Sequence, residues 1–163
     1  MSVRKYILSL GLALVTFLSY GQVHSCISRE EAEKILGMPA HLVMSQSETK
    51  DKIRKYRCTY TADEKEIAGG QGSNLYILFE EYDSITAAEE SFKYILLQNQ
   101  GMPGLSTLPD LGDEAIIQTD TMNFQMILVR KSDKMIRMKV NRTTSYTSII
   151  ELKRVAKKIT DLL

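Results

Sequence analysis

The chain has little of what most catalytic signatures require. Its 163 residues include two histidines and two cysteines. His24 lies at the end of a hydrophobic leader, and His41 follows Pro39 in an expected loop. Neither has an obvious nucleophile or ligand partner near it in sequence. General-base work requires a positioned partner, so His41 reads as a surface or loop-packing residue. A zinc site takes several Cys, His or carboxylate ligands, and cysteines that pair with each other leave too few. No GxSxG elbow is present, although a Ser-His-Asp set can assemble from distant positions. "GGQG" at 69–72 lacks the Lys-Ser/Thr of a phosphate loop and the full glycine spacing of a dinucleotide turn. No cofactor is expected.

Charge of one sign is also lacking. The chain has 21 Lys+Arg and 20 Asp+Glu, for a formal net charge of +1. Residues 1–21 contain two cations, Arg4 and Lys5, and no anion, so the rest of the chain carries −1. Such a domain has no global field to gather nucleic acid or anionic lipid. The most basic stretch, "KRVAKK" at 153–158, is the solvated face of an amphipathic helix. Beyond residue 21 no segment is long and apolar enough to span a bilayer, which takes ~20 apolar residues.

What is present begins with export. Arg4 and Lys5 precede an uncharged, Leu-rich stretch at 6–20, with Ser19 and Gly21 at its end. Positive start, short apolar core and small residues are the pattern of a secretory signal peptide over 1–21. Cleavage leaves Gln22 at the front of one domain, 22–163, in the periplasm or outside the cell. The alternative, a permanent N-terminal anchor, is disfavoured by the stretch's length.

Export gives the two cysteines meaning. Cys26 and Cys58 both follow the cut, and an even, minimal count in an oxidising compartment favours one bridge. The alternative is acylation of Cys26 as a lipoprotein anchor. The preceding Val23-His24-Ser25 places a bulky imidazole where a lipobox wants a small residue, and lipidation would strand Cys58. The pair is not a C-x-x-C redox motif.

Periodicity predicts an α+β domain: three helices on a mostly antiparallel sheet of about five strands, in the order α-β-β-α-β-β-β-α. "SREE" is a capping box with Ser28 and Glu31, and the helix it opens stops at Gly37 and Pro39. Strands follow at 57–62 and 75–82, the second with Leu75, Ile77 and Phe79 on one face. Ile85, Ala88, Phe92, Ile95 and Leu96 share one face of the second helix. "FQMILVR" and "MIRMKVN" flank a turn at Ser132-Asp133. Ile136, Met138 and Val140 face one way there and Arg137 and Lys139 the other, which predicts one buried and one wet face. "SIIE" at 148–151 is a second capping box, opening a helix with Ile149, Leu152, Val155, Ala156 and Ile159 as its stripe.

Three milder signals remain. "PDLGDE" gathers Asp110, Asp113 and Glu114 around Gly112 without the spaced oxygens of a calcium loop, and reads as a turn. Met135 and Met138 are an odd number apart on one strand, hence on opposite faces, and read as core filler rather than metal ligands. "AGGQGSN" at 68–74 is a mobile-looking hairpin loop, and Gly69, Gly70, Gln71 and Gly72 form a candidate binding loop. "MSQSETKDK", at 44–52, reads as the most polar and flexible part of the early chain.

Taken together, the Cys after the leader, "EEAEKILG", "RCTYTA", "LPDLGDEA" and the hairpin before a closing amphipathic helix resemble small secreted bacterial domains of unknown function. These include actinobacterial lipoproteins with a PsbP-like α/β sandwich. The leader, with Gln22 after the cut, is similar to those of Bacteroidetes. The resemblance covers most of the chain after the cut, implies an envelope protein and transfers no catalytic residue. The expectation is a non-catalytic binding module recognising a protein, glycan or small ligand. The alternatives are a hydrolase whose site assembles only in three dimensions, or an inhibitor or immunity-type protein. A deep pocket holding His41 beside a carboxylate and a hydroxyl would favour the enzyme.

Overall fold

A computed structural model describes residues 25–63, 72–120 and 123–163. The expected signal peptide and cut site, Gly69, Gly70 and Gln71 lie outside the described residues.

The capping box at the first helix forms. The Glu31 N–H donates to Ser28 Oγ at 3.2 Å and the Ser28 N–H donates to the Glu31 carboxylate at 3.3 Å, opening α1 (Arg29–Leu36). Gly37 closes it at φ 75°, where a Cβ would overlap the backbone of Tyr146. Ser84 caps α2 (Ile85–Asn99), and Ser148 caps α3 (Ile149–Asp161). At Ser148 the reciprocal half of the expected box is absent. Its N–H donates to the Ile35 carbonyl at 2.9 Å, while the Glu151 carboxylate pairs with Arg154 at 2.8 Å. That bond joins the start of α3 to the end of α1.

Seven strands, rather than about five, make one antiparallel sheet among the described residues. They are β1 (Ala40–Lys50), β2 (Ile53–Ala62), β3 (Asn74–Glu81), β4 (Leu105–Thr107), β5 (Glu114–Asp120), β6 (Phe124–Lys131) and β7 (Lys134–Asn141). Their spatial order is β1-β2-β3-β7-β6-β5-β4. β1 and β4 are the additions. β1 takes in most of the stretch expected to be flexible: Ser45 to Lys50 pair with β2 through Asp51-Lys52, a two-residue turn with both φ values positive (52° and 66°). Its side chains are mostly exposed, so backbone pairing rather than burial holds it.

Alternation divides the strands between two faces. Leu75, Ile77 and Phe79 of β3 and Ile136, Met138 and Val140 of β7 pack with α1 and α3 in the larger core, with Leu152, Val155 and Ala156 fully buried. Met135 lies on the opposite face from Met138, as the odd spacing requires. That opposite face is not simply wet. Ala88 and Phe92 of α2 bury Leu128, Ile116 and Met135 there in a second, smaller cluster. Ile85, expected on the buried side of α2, is 51% exposed, because the chain enters the helix beyond the sheet contact.

Cys26 and Cys58 are bonded, with Cα atoms 5.8 Å apart. The bond occupies the sulfur that lipid attachment at Cys26 would need. Beside it the Tyr60 hydroxyl donates to the Ile27 carbonyl, so the segment before α1 is tied twice to β2. Among the described residues no helix is long and apolar enough to cross a membrane.

Candidate binding groove

The site follows from how far α2 reaches. Its middle sits on β6 and β7 through Phe92, Ile95 packs against the same cluster, and Tyr94, Ile95, Gln98 and Asn99 toward its end turn one side to open space. The chain then turns back through Gly101 and Gly104, both at positive φ. A Cβ at Gly104 would overlap the Thr119 carbonyl, so glycine lets Met102 and Pro103 lie close along the end of β5. Between the last turn of α2 and the sheet lies a groove of about 710 Å³. Small-molecule sites occupy roughly 300–1,000 Å³.

Sheet register supplies its floor, made by Gln118, Met126, Arg137 and Lys139 of β5, β6 and β7 within a broader face. On the α2 side, one row across the strands runs Met44, Thr59, Tyr76, Lys139, Met126, Gln118. The next runs Gln46, Arg57, Leu78, Arg137, Leu128, Ile116, and a third runs Glu48, Lys55, Glu80, Met135, Arg130, Glu114. Every carboxylate in these rows has a cation. Glu48 binds Arg57 at 2.8 Å, Glu80 binds Lys55 at 2.9 Å, and Glu114 binds Arg130 at 2.7 Å. Asp113 adds a second bond to Arg130 at 3.0 Å.

Two cations are left over, and both line the groove. Arg137 and Lys139 have no ion pair among the described residues. The Arg137 Nε is fully buried without a hydrogen-bond partner, while Lys139 Nζ lies over the Phe124 ring, 4.7 Å from its centre. Stacking on an aromatic face suits the ammonium but leaves its N–H groups free to donate. An unsatisfied buried donor is rare enough to point to a function or a missing partner. Arranged this way, the floor can attract and orient an anion. It offers no nucleophile paired with a base.

The sequence-predicted residues fall elsewhere. Cys26 and Cys58 form the bond described above. Of the candidate binding loop, Gly72 is described and half-buried, and it leads directly into buried Ser73. The Ser73 hydroxyl donates to the Asn141 and Arg142 carbonyls, at 3.1 and 2.9 Å, so this end of the loop is anchored rather than solvent-facing. His41 does stand beside a carboxylate, with Nδ1 2.5 Å from Asp63 Oδ1, but its side chain is 55% exposed and it is not in the groove. Asp113 and Glu114 of "PDLGDE" serve buried Arg130, and the Asp113 carboxylate also accepts the Ser132 N–H at 2.6 Å. Among the described residues no group of three His, Cys, Asp or Glu is placed to hold a metal ion. Sequence reading missed Arg137 and Lys139 as site residues. Their spacing of two on a strand was the available signal, because it places both charges on one face.

Compared with family models, curated proteins and solved structures, the chain finds no match.

Proposed function

We propose that the protein is an exported, non-catalytic binding module that holds a small ligand in the groove under the end of α2. The observation that carries the reading is Arg137. It is a cation with a buried, unpartnered N–H on the floor of a ligand-sized groove, while Glu48, Glu80 and Glu114 on the same sheet face are committed to other cations. The disulfide supports export, since such bonds persist in oxidising compartments, and the leader read from the sequence agrees. Periplasm or cell exterior is therefore the proposed location. The resemblance to PsbP-like envelope domains belongs to the same reading, and helices on both faces of an antiparallel sheet suit it.

A small-molecule screen by thermal shift tests the proposal. Hits should raise the melting temperature of the wild-type protein and lose that effect in Met102→Trp. Met102 is 48% exposed at the rim, so the indole obstructs the groove without disturbing the core. Hits that stabilise both proteins equally would place the ligand elsewhere, and turnover of an ester or amide library would replace binding with catalysis.

A further inference from the structure

The groove also specifies the chemistry of what it holds, an inference that rests on the binding reading above. Most amide donors along its walls are already in use. Asn99 Nδ2 donates to the Ile95 carbonyl at 2.7 Å, and Gln118 Nε2 donates to Met102 Sδ at 3.4 Å. Arg137 and Lys139 are the strong donors that remain, so the polar end of a ligand must be an acceptor. Asp120 also lines the groove, where it accepts from Asn123 Nδ2 at 2.7 Å. Two cations and one carboxylate leave one net positive charge, which matches a monoanion better than a phosphate dianion.

Depth orders the rest. Arg137 stands on a central strand between Leu78 and Leu128, whereas Tyr94 (64% exposed) and Met102 lie at the open rim. The lining also includes Met126, Phe124 and Ile95, which are apolar. An anionic head therefore belongs at the bottom and an apolar body at the mouth. We propose that the ligand is an amphipathic monocarboxylate, its head paired with the Arg137 guanidinium and steadied by Lys139. The two Nη groups of the guanidinium can meet a carboxylate through two parallel hydrogen bonds.

Amide NMR spectra of the oxidised protein test this with three probes sharing one chain: decanoate, decanol and decyltrimethylammonium. Decanoate should move the signals of Gln118, Met126 and Lys139 and bind about tenfold or more tighter than decanol, the scale of a charged hydrogen bond. Arg137→Gln should abolish that preference and leave decanol binding unchanged, with Lys139→Gln producing a smaller loss. Equal binding of all three probes in the groove would overturn the carboxylate assignment while leaving the groove as a binding site. If none of the three moves a groove signal, the assignment falls. The Met102→Trp screen then decides separately whether the groove binds anything.

Discussion

The two faces of the sheet are built from the same strands, residue by alternate residue, yet only one is fully occupied. On the α1–α3 side two helices and the disulfide close a continuous apolar core. The α2 side has one helix. A helix is about 10 Å wide and strands are ~4.8 Å apart, so one helix covers roughly two strands. Here those are β6 and β7. The exposed Tyr76 and Met44 mark how the face continues uncovered toward β1. The difference teaches that a groove needs no special motif. It results when a wide sheet is given too few helices on one side and the floor beyond the helix carries charge.

Neighbours on β6 give the sharpest way to break the comparison. Ile127 is fully buried on the α1–α3 side and Met126 borders the groove. Ile127→Ala should cost roughly 4 kcal/mol and Met126→Ala only about 1 kcal/mol, because the second cavity opens into existing space. Urea unfolding of the two variants measures this, and equal losses would mean that the faces are equally packed. Next in size is the bridge. Its cysteines are 32 residues apart, so replacing both by Ser should lower stability by about 3.5–4 kcal/mol in the chain-entropy account. Free-thiol labelling of the unfolded, unreduced protein checks the bond itself.

Two arginines on the α2 side sharpen the contrast. Arg130 is buried and bonded to the more exposed Asp113 and Glu114, so Arg130→Met should destabilise by about 1–2 kcal/mol as those charged hydrogen bonds are lost. Arg137→Met removes a buried donor that has no partner and should instead stabilise by about 1 kcal/mol. Opposite signs from the same substitution, read in thermal unfolding, are the expected outcome.

The smallest effect lies back in the core. Burial pushes the Tyr60 hydroxyl up to about 12, with Tyr56 and Glu31 adding to the shift. A phenol whose folded value exceeds its unfolded value of 10.0 holds its stabilising effect below pH 10 and loses it as pH rises through about 12. Tyr60→Phe should cost about 1 kcal/mol at neutral pH, through the hydrogen bond to Ile27, and reduce the alkaline loss. Denaturant midpoints across that window give both numbers.

Elements with a strong apolar period were legible in the sequence. The capped first helix, β3, β7 and the stripe on α3 follow directly from residue spacing. β1 was not, for a physical reason: an edge strand whose side chains face water carries no burial pattern. A register shift between Leu42 and Met44 further breaks what alternation it has. β4 is three residues long, too short for any period. The groove was half legible. Alternation places Arg137 and Lys139 on one face, but which carboxylates take other partners depends on strand order, and β3 meets β7 only in the folded chain.

That meeting has a consequence for how the molecule assembles. β1–β2–β3 and β4–β5–β6–β7 are two meanders built from near neighbours, joined along a single distant pair. At that seam the Asn74 N–H donates to Asn141, 67 residues away in the chain. Closing so long a loop is slow compared with forming local hairpins. The strand residues of the groove lie on β5, β6 and β7, so the groove reaches the seam on one side, where Arg137 and Lys139 stand on the seam strand itself. A molecule held against Arg137 and Lys139 would lean on the strand that closes the seam, and mass action would then make its concentration a control on how often the seam opens.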